Sequence, residues 1–100
     1  MIRGTTPRLV FAYKYTVDFV KVLRITFKQN GETKVEKTEK DVTFEENKII
    51  LKLSQEDTLG LNENVVVEIQ LKVLTTTGDV LATDPYQLRV IDIFNEEILE

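Results

Sequence analysis

The sequence predicts an all-β fold, two antiparallel sheets stacked face to face, and three observations carry that reading. Apolar side chains recur at every second position over most of the chain. The longest series is Val65, Val67, Ile69, Leu71 and Val73, set against Glu68, Gln70 and Lys72, and a two-residue period is that of a strand with one buried face. Turn signals punctuate these runs at short intervals. Only one stretch, "LSQEDTLGL" from Leu53 to Leu61, abandons the alternation.

The elements follow in order. Pro7 cannot donate a ladder hydrogen bond and suits the start of a strand. After it Leu9, Phe11 and Tyr13 alternate with Arg8, Val10, Ala12 and Lys14. Leu23, Ile25 and Phe27 alternate with Arg24, Thr26 and Lys28, and that run ends at Gln29-Asn30-Gly31-Glu32. Asn-Gly is the strongest short-range hairpin signal, because both central residues of a type I′ turn need positive φ. The returning segment Thr33 to Thr38 carries Val35 as its one apolar residue among lysines and glutamates. It reads as an edge strand whose charges discourage pairing with other molecules.

Val42-Thr43-Phe44 leads through a polar turn into the alternating Ile49, Leu51 and Leu53. There the exceptional stretch begins. Ser54 with Asp57 three residues later satisfies a capping pattern, with acidic residues at the positive end of a helix. Gly60 ends the helix after one turn, near 54–60. Such a turn carries the chain from one sheet to the other while Leu59 and Leu61 close the end of the core. The central strand over Val65 to Val73 comes next, then a turn at Thr76-Thr77-Gly78-Asp79 and a last strand, Val80 to Ile93. Asp84-Pro85 interrupts that strand with a bulge or a sheet switch. About seven strands in this pattern make an immunoglobulin-like antiparallel β-sandwich. It is one domain over 1–100, with 1–6 as an extended arm and 94–100 as a tail.

Composition sets the outer bounds. One hundred residues, 42% hydrophobic and 30% charged, suit a single core. Folding a chain of this size removes about 65% of its surface from water, enough to need no staple. Cysteine, histidine and tryptophan are absent, which removes disulfides, thiol nucleophiles and the commonest catalytic base together. The net charge of −4 comes from interspersed signs and argues against nucleic acid as a partner, since a phosphate backbone needs a basic face. No apolar run has the length of a signal peptide or a membrane span.

Candidate chemistry is correspondingly thin. The doublets Glu45-Glu46, Glu56-Asp57 and Glu96-Glu97 fall at turns or ends, where solvated charge is the ordinary explanation, and their spacing matches no oxygen-ligand loop. None of the four glycines forms a phosphate cradle. Neither an enzyme nor a cofactor is expected. Phe11, Tyr13 and Tyr15 could stack bases, but alternate aromatics on a strand are more simply core. A sugar-binding sandwich would want the missing tryptophan. The tail Phe94 to Glu100 is the better candidate: Phe94, Ile98 and Leu99 have helical spacing with little chain left to bury them. It either folds back on the sandwich or docks on a neighbouring subunit.

The start Met1 to Pro7, "ITFKQNG" at Ile25 to Gly31, and "LKLSQEDTLGL" leading into "VEIQLKVLTTTGD" together resemble a group of small prophage-encoded proteins of Gram-positive bacteria. More distantly, the same order of features is similar to the immunoglobulin-like amino-terminal domain of phage baseplate upper proteins. Two features depart from that pattern. Asn62 to Val65 replaces a glycine and an aromatic before the penultimate strand, and a free-standing module is expected where those baseplate domains continue into further ones. The resemblance implies a virion or assembly component that binds copies of itself or other phage structural proteins, with no membrane partner, found in the virion or in the host cytoplasm during assembly. It implies subunit contacts through Ile2, Arg3 and Gly4 of the arm and Phe94, Ile98 and Leu99 of the tail. An alternative role for so small and acidic a chain is an accessory protein that binds and inhibits a host protein.

Overall fold

A computed structural model describes residues 1–13 and 19–100. Eight strands and one short helix occur among them, in the order β1 (Arg8–Ala12), β2 (Val20–Gln29), β3 (Glu32–Thr38), β4 (Val42–Glu45), β5 (Lys48–Lys52), α1 (Gln55–Leu59), β6 (Val67–Thr75), β7 (Val80–Ala82) and β8 (Tyr86–Leu88). They build two antiparallel sheets. The smaller has the order β1-β5-β4; the larger runs β3-β2-β6, with β7 and β8 both on the far side of β6. The expected sandwich is therefore found, with eight strands because the last one is split. Tyr15 lies outside the described residues.

The core is the product of the two-residue period. Leu23 pairs with Val73, Ile25 with Leu71 and Phe27 with Ile69 across β2 and β6. In the small sheet Phe11 and Phe44 flank Ile49, while Leu9 and Val42 flank Leu51. Side chains directly opposite share a face, and these faces meet: Leu23, Ile25, Phe27, Ile49 and Leu51 are all 0% exposed. Phe11 and Tyr13 are buried too, so they are core and offer no stacking platform.

Turn chemistry fixes the register. Asn30 and Gly31 take φ of 52° and 78°, as a type I′ turn demands. β3 is the edge of the large sheet, and its Lys34 forms a bulge between Phe27↔Val35 and Lys28↔Thr33. The central strand begins at Val67, two residues later than its apolar series, because Asn64 turns the chain with φ 61°. Asp84-Pro85 makes a break within one sheet, with no switch to the other: β7 pairs with Lys72–Leu74 and β8 with Val67–Ile69 of the same strand β6. Between them the Thr83 N–H donates to Leu71 O at 3.0 Å and the Thr83 hydroxyl accepts from Leu71 N at 3.1 Å. A side chain thus replaces the rung that the loop before Pro85 cannot supply.

The exceptional stretch carries the chain from β5 in the small sheet to β6 in the large one. Its capping box is complete: Asp57 N donates to Ser54 Oγ and Ser54 N to Asp57 Oδ2, each at 3.0 Å. Leu61 closes the core at 1% exposure, but Leu59 is only half-buried, and Thr58 is the helix residue turned fully inward. The Thr58 hydroxyl donates to Thr5 O at 2.8 Å, tying helix to arm. Replacing Ser54 with Ala leaves the Asp57 N–H without its partner, and chemical denaturation should read a loss of about 1 kcal/mol.

Candidate interaction surface

The first five residues are docked on the chain. Ile2 forms a parallel bridge with Ile91, flanked by Arg3 N–H to Ile91 O at 2.9 Å and Ile91 N–H to Met1 O at 2.8 Å. The terminal ammonium donates to Arg89 O at 2.8 Å. Of residues 1–6, expected as an extended arm, the first three thus pair with residues 89–91. Gly4 sits at φ 75° above the Leu59 and Ile93 side chains, and a Cβ placed there would come within 3.3 Å of Leu59 Cδ2. Only glycine meets both conditions without strain.

Arg3 organises this junction. Its guanidinium, 13% exposed, donates from Nε to Leu61 O at 2.7 Å and from Nη2 to Leu59 O at 3.0 Å, satisfying carbonyls where α1 ends. Nη1 meets Asp92 at 2.7 Å, with Glu63 and Glu96 each at 3.6 Å. Asp92 and the other two carboxylates hold the guanidinium's pKa above its ordinary value. The Asp92 carboxyl lies below its own, first because it accepts from the Ile93 N–H and then through Arg3.

The tail is held chiefly near its end. The Gln55 amide donates to Leu99 O at 2.7 Å and accepts from Leu99 N at 2.9 Å, so one side chain of α1 occupies both backbone groups of Leu99. No helix forms in 94–100; the Asn95 side chain accepts from Glu97 N at 2.8 Å and bends the segment instead. Phe94 stands fully in solvent, Leu99 is 71% exposed and Ile98 half-buried. Of the six candidate residues, the structure brings Ile2, Arg3 and Gly4 together with residues 91–93, and links that cluster to the tail through Glu96. Phe94 and Leu99 project from it.

Residues not picked out from the sequence complete the surface. Ile91 is as exposed as its neighbour Ile2, at 47% and 45%. On another flank, β1 pairs only with β5 and β8 only with β6 among the described residues, so the two sheets present open edges side by side. A cleft of about 190 Å³ lies between them, lined by Leu9, Val10, Phe11, Ile69, Tyr86 and Leu88. The Phe11 and Tyr86 rings sit there 5.8 Å apart, tilted by 57°. A larger depression, about 480 Å³, lies on the polar outer face of the large sheet between Thr26, Lys28, Glu36, Glu68 and Gln70. Among the described residues no three histidine, cysteine or acidic side chains gather to hold a metal, and no helix is long and apolar enough to cross a membrane.

Asp57 ties α1 to the large sheet electrostatically. Lys37 of β3 reaches its Oδ2 at 2.9 Å. Burial works to raise the Asp57 pKa, but hydrogen bonds from Ser54 and Lys37 outweigh it and hold the carboxyl below its ordinary value. Asp92 and Glu39 are depressed as well, Glu39 mainly by backbone N–H groups of its own residue and Leu23. A depressed native pKa adds stability that is complete above the unfolded value near about 4 and disappears as pH falls through the native value. Urea midpoints should therefore hold steady from about pH 7 to 5 and fall below about pH 4. Asp57→Asn should flatten part of that fall.

Comparison with known proteins returns no matching family, no matching curated protein and no matching solved structure.

Proposed function

We propose that this chain is a structural or assembly component of a phage or prophage particle, a tail or baseplate accessory that works through contacts with its own copies or with other structural proteins. The observation that carries the reading is the treatment of the two terminal segments. They are fastened by Arg3 and Gln55, yet Ile2, Ile91, Phe94 and Leu99 are left facing water. Apolar side chains held in place on an anchored backbone are suited to a partner surface, because little conformational entropy remains to be lost on binding. The resemblance in residues 1–7, 25–31, 51–61 and 67–79 points the same way, toward particles assembled from β-rich modules. Mass spectrometry of purified particles from a host carrying the gene tests it: the protein is expected at a stoichiometry comparable to other minor structural proteins. Its absence from particles overturns the reading.

A further inference from the structure

We infer that residues 94–100 of one copy dock in the cleft between β1 and β8 of a second copy, with Phe94 as the anchor. This inference rests on the assembly reading above and specifies the self-contact within it. The cleft has the character of an aromatic receptor. It opens at the free edges of both sheets and reaches the core residues Phe11 and Ile69, and one wall is Tyr86, 49% exposed. An incoming phenyl ring there packs against the exposed Tyr86 ring, which buried Phe11 backs at a tilt, in the edge-to-face geometry aromatic groups prefer.

The occupant is argued from charge and exposure. Each strand of the cleft carries an arginine one residue beyond its lining leucine: Arg8 before Leu9 and Arg89 after Leu88. Lys52 lies directly across from Arg8 in the β1–β5 register, so two like charges face each other where opposite ones would be favourable. All three are exposed, and none is in an ion pair among the described residues. In a chain of net charge −4 this is an uncompensated basic rim around an apolar slot. The segment 94–100 offers the complement, a fully exposed phenylalanine followed by Glu97 and Glu100, with Glu96 lying nearer Arg3 of its own chain. An aromatic anchor seated in a pocket with opposite charges at its border is the anatomy of an interface hot spot.

Each copy has one such segment and one cleft, so two copies can exchange segments and close as a pair, or the contact can repeat head-to-tail into a larger ring or a filament. The contact is small, which makes the association weak and concentration-dependent.

Light scattering on the intact chain over about a hundredfold range of concentration should show mass rising with concentration. Phe94→Ala, at a side chain with no intramolecular packing, should weaken association at least about tenfold while the circular dichroism spectrum is unchanged. Arg8→Glu with Arg89→Glu should do the same from the cleft side. Mixing these two variants, each monomeric alone, should yield a 1:1 dimer that grows no further, since one intact segment meets one intact cleft. A wild-type chain that is monomeric throughout overturns the inference. So does self-association that Phe94→Ala leaves unchanged, or a mixture that stays monomeric. In each of these cases detection of the chain in particles would still stand for the broader reading, and its absence there would remove that reading separately.

Discussion

Gln29→Leu should lower stability by about 3 kcal/mol, read as the shift in urea midpoint at unchanged slope, and should depress Tm by about 15 °C. Gln29 is 1% exposed at the end of β2. Its amide nitrogen donates to Asn62 O at 2.8 Å and Val65 O at 3.1 Å, and its oxygen accepts from Asn62 N at 2.8 Å. Leucine fills nearly the same space but leaves two carbonyls and one N–H without partners, and each such orphan costs about 1–3 kcal/mol when water cannot reach it. The same loop holds Asn64, whose N–H donates to Val90 O at 3.0 Å. Val90, at 0% exposure, precedes the residue that bridges to Ile2. Loosening residues 62–65 should thus reach the terminal junction, and hydrogen exchange at Ile91 should accelerate with it.

A second variant separates lost hydrogen bonds from lost packing. Gln29→Glu keeps the acceptor for Asn62 N but aims a carboxylate at two carbonyl oxygens. Burial and those oxygens both raise the new group's pKa in the folded state. A proton bound more tightly by the native state makes stability grow as pH falls through the raised native pKa toward the unfolded value near about 4. Gln29→Glu should therefore recover part of its loss on mild acidification, and Gln29→Leu should not. A loss under about 1 kcal/mol for Gln29→Leu would mean that water already serves the loop.

The sequence speaks clearly where the cause is local. Leu23, Ile25 and Phe27 announce an inward face because strand geometry puts alternate side chains together whatever lies beyond. Asn30-Gly31 and Ser54-x-x-Asp57 declare their turn and cap because the partners lie within four residues. Gln29 is illegible by the same logic. Beside Asn-Gly it reads as a turn residue, and its partners Asn62 and Val65 are brought to it only by the pairing of β2 with β6. The helical spacing of Phe94, Ile98 and Leu99 misleads because three apolar residues with no surface to cover cannot repay helix nucleation. The cleft wall at Tyr86 is invisible in the chain for a further reason: Phe11 and Tyr86 belong to different sheets and touch only because both strands are edges. The resemblance implies subunit contacts for Ile2, Arg3 and Gly4; their contacts within the chain, with residues 59–63 and 91–96, are visible only in the fold.

Arg3→Met should cost about 2 kcal/mol, and the loss should be concentrated at the terminal junction. Methionine keeps the unbranched stem and its packing but removes the fork that serves Leu59 O and Leu61 O, and leaves Asp92, Glu63 and Glu96 facing one another without a cation. The partners weigh unequally. Asp92 and Glu96 are 52% and 63% exposed, so water and salt screen them and their pairing adds little. The two carbonyls lie in a part-buried setting, and their charge-assisted bonds carry most of the effect. Arg3→Lys tests that division. A lysine supplies the charge as a compact point and cannot reach two carbonyls and a carboxylate in one plane. It should restore less than half of what Met loses. Full rescue by Lys would mean that the carboxylates, and with them simple charge balance, hold the segment down. Amide exchange gives the second readout. Protection at Arg3 and Ile91 should fall in Arg3→Met while Ile25 and Leu71, in the paired centre of β2 and β6, keep theirs. Uniform loss across both sites would make Arg3 a support of the whole sandwich. Loss confined to the junction makes it the fastener that decides how firmly Ile2 and Ile91 are held.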